Sequence, residues 1–77
     1  MNASEIKRKI DFLQGDIMDL IKIHTNEAEN INLKIIFDDI IPMKNGIKKL
    51  DALESLHRYT CLLIGRSKKD KWIILNY

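Results

Sequence analysis

Ile6, Ile10, Leu13, Ile17 and Leu20 recur at spacings of 4, 3, 4 and 3, and Ile21 widens the stripe. That is the period of one helix face, so residues 3–23 are expected to form an amphipathic helix. Lys7, Arg8, Asp11, Asp19 and Lys22 occupy its other side. Asn2 is the expected N-cap, with Glu5 three residues on, as in a capping box. Gly15 falls on the polar face, where a helical glycine costs about 1 kcal/mol relative to alanine. Phe12 and Ile23 sit together off the main stripe, which asks for cover from a later element or from a second subunit.

Residues 24–30 are polar and non-periodic and read as a connection. Residues 31–41 carry two periods at once. Ile31, Leu33, Ile35 and Phe37 alternate with Asn32, Lys34 and Asp38 as in a half-buried strand, whereas Leu33, Ile36, Phe37, Ile40 and Ile41 follow helical spacing. The isoleucines favour a strand by propensity. The helix is preferred because it gives Ile40 and Ile41 a role. Residues 42–46 are a breaker cluster with turn chemistry at Asn45-Gly46. Ile47, Leu50, Leu53, Leu56 and Tyr59 then mark a third helix over about residues 46–58. Two β-prone runs, 59–65 and 72–77, flank a basic tip at 66–71 and read as a β-hairpin. Both faces of that hairpin are apolar, with Cys61 and Leu63 on one and Leu62 and Ile64 on the other. Trp72 is expected to anchor the core.

The expected fold is mainly α with a C-terminal β-hairpin, a winged-helix-like arrangement of three helices and a wing. The alternative is an α+β fold whose helices pack on a small antiparallel sheet that includes residues 31–37. Residues 1–77 form one domain, since two cores do not fit in so short a chain. The apolar content of 45% and charged content of 31%, with little Gly or Pro, suit a folded protein. A single cysteine, Cys61, excludes an internal disulfide. With no export signal in residues 1–10 it points to a reducing, cytoplasmic setting. No run approaches the roughly 18 apolar residues of a membrane span.

The residues carry little recognisable chemistry. Gly15, Gly46 and Gly65 are isolated, so no phosphate-cradling loop is present, and Ser4, Ser55 and Ser67 lack a nearby His–Asp pattern. One cysteine with His24 and His57 does not make a zinc site at any usual spacing, so no metal or cofactor is expected. His24 is expected to be solvated. His57 is expected near a helix C-terminus, where a cation complements the dipole. Cys61 is expected to be a buried small hydrophobe in a strand. Adjacent Asp38 and Asp39 share no face as an acid pair. A binding function is expected, and an enzyme is not.

Charge is split along the chain. Residues 1–41 hold five bases against eight acids, net −3, and residues 42–77 hold eight bases against three acids, net +5. The basic half can face a polyanion. Lys48 and Lys49 on the third helix and Arg66, Lys68, Lys69 and Lys71 at the tip could neutralise several phosphates with strongly salt-dependent affinity, and Asn45 suits base contacts. The order helix, helix, breaker, helix, basic-tipped hairpin resembles the winged helix-turn-helix family over most of the chain. Its apolar skeleton would be Ile36 and Ile40, then Ile47 and Leu50. By this resemblance Lys44, Asn45, Lys48, Lys49 and Ser55 face duplex DNA, and the basic tip is the wing. The chain departs from that family at Phe37, where a small residue is usual, and at Ile41, where the turn usually has glycine. The resemblance implies a small DNA-binding regulatory module.

The competing reading is a protein-interaction, inhibitor or adaptor module acting as a homodimer, and on either reading the chain is expected to be a homodimer with Phe12 and Ile23 at the interface. It rests on the surplus of apolar positions, which exceeds what one small core covers. The two readings differ in what they put on the surface. A nucleic-acid binder gathers positive charge on one face, and an interaction module exposes an apolar patch ringed by mixed charge.

Overall fold

Three asparagines start three helices. The computed structural model describes the backbone of residues 2–75 and the side chains of residues 2–65. Helix α1 spans Ala3–Ile23, α2 spans Glu27–Ile40 and α3 spans Gly46–Leu75. At each start an Asn side chain accepts a hydrogen bond from the backbone N–H three residues on: Glu5 N to Asn2 Oδ1 at 2.9 Å, Glu29 N to Asn26 Oδ1 at 3.0 Å, and Lys48 N to Asn45 Oδ1 at 3.1 Å. Each cap satisfies a donor that the first helical turn leaves unpaired. Helix α1 has the bounds expected from its stripe. The Asn26 cap starts α2 within the stretch expected as a connection.

The core forms where the three apolar stripes meet. Ile17 and Ile21 come from α1, Leu33, Phe37 and Ile40 from α2, and Leu53 and Leu56 from α3. Ile10, Leu13, Met43, Ala52 and Leu63 pack against them. Helices α1 and α3 make the principal interface. A methyl group on Gly46 would sit 3.3 Å from Ile6 Cγ2, and Asp16 reaches His57, so the two helices pair at offsets of 40 and 41 residues and run parallel. Helix α2 runs antiparallel to both and packs against each, giving an up-down-up bundle. At 1.5 Å per residue α1 is about 32 Å long and α3 about 45 Å. Ile23 therefore lies level with about residue 64, and the rest of α3 runs on past α1. The radius of gyration, 14.4 Å, and the 50 Å long axis record this overhang; a globular chain of this length has a radius of about 11–12 Å.

The expected C-terminal hairpin is not formed, and with it the winged-helix arrangement and the alternative sheet with residues 31–37 are both overturned. No strand occurs among the described residues, and one helix runs from Gly46 to Leu75. The period-2 reading of residues 59–65 competes with a helical one that continues the stripe of Leu50, Leu53 and Leu56 into Thr60 and Ile64. The second reading wins because it buries one face against α1 and α2, whereas the strand leaves two apolar faces to cover. Thr60 is fully buried and its hydroxyl donates to Leu56 O at 2.7 Å, the usual way a threonine satisfies itself inside a helix. Leu62 and Cys61 then point to solvent, so Cys61 is not the buried strand residue expected of it. The basic tip 66–71 is continuous helical backbone. The side chains of Arg66, Lys68, Lys69, Lys71 and Trp72, including the core role expected of Trp72, lie outside the described residues.

Residues 31–40 are helical, as preferred. Leu33, Phe37 and Ile40 are buried, but Ile36 and Ile41 are exposed. Of the expected winged-helix skeleton, Ile36 and Ile47 face solvent.

Candidate interaction surface

Helix α2 is apolar on two opposite sides. With Leu33, Phe37 and Ile40 turned into the core, Ala28, Ile31 and Ile35 fall at spacings of 3 and 4 on the reverse face. Ile31 is 60% exposed and Ile35 57%. This double stripe is why residues 31–37 also read as a strand: odd positions 31 and 35 are apolar, and so are 33 and 37, but in the helix the two pairs separate to opposite sides. Glu27 opens the outer ridge, and Asp38 and Asp39 close it, all three exposed. Lys34 is the helix's single base against four carboxylates, so α2 carries a net −3.

Two histidines fasten the bundle. His24 is 5% exposed rather than solvated. Its Nε2–H donates to Glu29 Oε2 at 2.5 Å, and its carbonyl accepts from Asn30 Nδ2 at 2.7 Å. Glu29 is thus tied to the α1–α2 corner and is not part of the free acidic rim. His57 lies in the middle of α3, not near its C-terminus, and donates through Nε2 to Asp16 Oδ2 of α1 at 2.5 Å. Cys61 Sγ stands 3.9 Å from the same nitrogen. A thiol–imidazole–carboxylate relay uses the two ring nitrogens separately, one toward the nucleophile and one toward the acid. Here acid and thiol crowd one nitrogen, so the trio is a helix-to-helix fastening and cannot pass a proton from sulfur to carboxylate. Among the described residues no three His, Cys, Asp or Glu side chains are arranged to hold a metal ion.

The structure divides the expected phosphate-contacting residues. Asn45 is spent as the α3 cap, and Lys49 Nζ donates to Ile41 O at 2.8 Å, closing the end of α2. Lys44 and Lys48 are exposed, on the α2–α3 connection and the first turn of α3. Lys7 of α1 borders one groove with Lys44, Asn45 and Lys49, and Asp11 lies in the same groove. The other described bases, Arg8, Lys9, Lys22, Lys34 and Arg58, are dispersed over all three helices. Positive charge is not gathered on one described face.

Phe12 and Ile23, expected at a dimer interface, are exposed at 67% and 60% and lie on one side of α1, three turns apart. Asp16 and Asp19 occupy the turns between them, which breaks the ridge into two isolated side chains. Phe12 instead borders a shallow groove of about 550 Å³ toward α3, with Arg8, Lys9, Glu5 and Glu54 around it. The outer ridge of α2 was missed at the sequence level. Its signal lies in Ile31 and Ile35, which belong to the alternating pattern of the strand alternative, while Ala28 falls in the stretch expected as a connection. No family model, curated protein or solved structure matches the chain. No helix is long and apolar enough to cross a membrane among the described residues.

Proposed function

We propose that this chain is a non-catalytic protein-interaction module that binds an apolar, basic helix along the outer face of α2. The observation that supports this reading is the second apolar stripe of α2, Ala28, Ile31 and Ile35, opposite the stripe that builds the core. A helix whose two sides are both apolar is usually covered on both. Completing the burial of Ile31 and Ile35, each a little over half exposed, would contribute about 1–2 kcal/mol each. Glu27, Asp38 and Asp39 add negative charge at both ends of the ridge, which selects a basic partner and speeds its approach. A partner helix would pack its own apolar ridge beside this one, with anchors at helical spacing against Ala28, Ile31 and Ile35 and basic residues toward the acidic ends. The described lysines give less support to a phosphate-binding surface, because Asn45 and Lys49 already serve α3 and α2 as caps.

The test is a titration of the protein with three labelled probes: an amphipathic Leu/Lys helical peptide, its Leu/Glu counterpart, and a short DNA duplex. The Leu/Lys peptide is expected to bind, and Ile31→Ser with Ile35→Ser to abolish that binding while helicity is kept. Equal binding by the double variant, or binding of the duplex alone, would overturn the reading.

A further inference from the structure

We infer that the partner of the α2 ridge is the segment 66–77 of a second copy of this chain, exchanged reciprocally in a two-fold dimer. This inference rests on the α2 interaction reading and gives that face its occupant.

Two observations and a symmetry argument carry it. The first is charge. Two α2 ridges facing each other would set the exposed carboxylates Glu27, Asp38 and Asp39 against their own copies, so a simple α2-to-α2 pair is disfavoured. Segment 66–77 carries Arg66, Lys68, Lys69 and Lys71 against Asp70, net +3, and then the apolar run Trp72, Ile73, Ile74 and Leu75. Basic and apolar in one short stretch is the complement of an acidic-rimmed apolar ridge, and no other stretch of the sequence combines the two so strongly. The second is topology. Because α1 runs parallel to α3 and finishes level with about residue 64, α3 beyond that level has neither α1 nor the shorter, 14-residue α2 beside it. The backbone reaches out of its own bundle by about 16 Å, close to the roughly 21 Å length of α2. The third is symmetry. The overhang leaves the bundle at the end where α2 begins, so two copies placed end to end about a two-fold axis each present the segment to the other's α2. The contact closes on itself as a dimer and does not propagate into a fibre.

The experiment is sedimentation equilibrium on the full chain over a micromolar range at low and moderate salt, with two charge-reversal sets. One set is Asp38→Lys with Asp39→Lys on α2. The other is Lys68→Glu, Lys69→Glu and Lys71→Glu on the segment. The unaltered chain is expected to dimerise, more tightly at low salt. Each set alone is expected to weaken the dimer about tenfold or more, because it places like charges opposite one another. Both sets in the same chain are expected to restore association, since the complementary charges have exchanged places. Circular dichroism checks that every variant remains helical. A chain that is monomeric across the whole range, a dimer that ignores either set, or a failure of the combined variant to recover would overturn the exchange. The Leu/Lys peptide separates the two ideas when it is titrated against the unaltered chain during sedimentation, since under the exchange it competes for the ridge and drives the dimer to monomer. If that peptide binds while the chain stays monomeric, the ridge is an interaction site whose occupant is another protein.

Discussion

Replacing Gly65 by alanine probes the point where the helical and hairpin alternatives diverge. In the structure Gly65 is inside α3 with a negative φ, and no atom lies within 4 Å of the position a methyl group would take. Its neighbour Ile64 is buried, so this turn of helix melts together with the core. Alanine then adds nothing to the packing and removes only glycine's backbone freedom. The gain is the intrinsic helix-propensity difference of about 0.8–1 kcal/mol. In a domain of this size that raises Tm by about 4–8 °C. Gly15→Ala in α1 is the internal control, since it too is exposed, helical and without a neighbour within 4 Å. The two gains should add, as the sites belong to different helices and share no partner. Thermal and urea unfolding followed by circular dichroism read both. If Gly15→Ala stabilises and Gly65→Ala destabilises, residue 65 is at a turn and the continuous α3 is refuted.

Leu53 is fully buried and Ile47 is exposed, although both were expected in one core stripe. Leu53→Ala is expected to cost about 2–5 kcal/mol and Ile47→Ala under about 0.5 kcal/mol, and comparable urea midpoints for the two would contradict the bundle. Asp16 and His57 are partly exposed hydrogen-bond partners, so a double-mutant cycle with alanine is expected to give a favourable coupling of about 0.5–1 kcal/mol. No coupling would mean that α1 and α3 do not meet in this register.

The sequence carried α1 in full because its apolar residues allow only one period. Its stripe, its Asn2 cap and its limits all agree with the structure. Helix α2 was half legible. Both faces are apolar, so the same eleven residues satisfied two templates, and only packing against α1 and α3 decides between them. The start of α2 carried a readable signal, since Asn26 followed by Glu29 repeats the Asn2 and Glu5 pattern. The strand reading of residues 59–65 fails for a physical reason. Isoleucine, tyrosine and tryptophan are strand formers by propensity, and a glycine followed by a charged cluster resembles a turn. Yet Thr60 and Ile64 continue the Leu53 and Leu56 face, and tertiary burial outweighs propensity differences of a few tenths of a kcal/mol per residue. His24 and His57 could not be placed from the sequence. Their partners are Glu29, across a corner, and Asp16, on a helix distant in sequence.

The most direct measurement of the central claim is the titration of isotopically labelled protein with the Leu/Lys peptide, followed by amide chemical-shift changes. The account requires the largest changes at Ala28, Ile31, Asn32 and Ile35, along the outer side of α2. The core-facing Leu33 and Phe37 should move less. Changes centred on Lys44 and Lys48, or on Phe12 and Ile23, with the α2 ridge undisturbed, would contradict it.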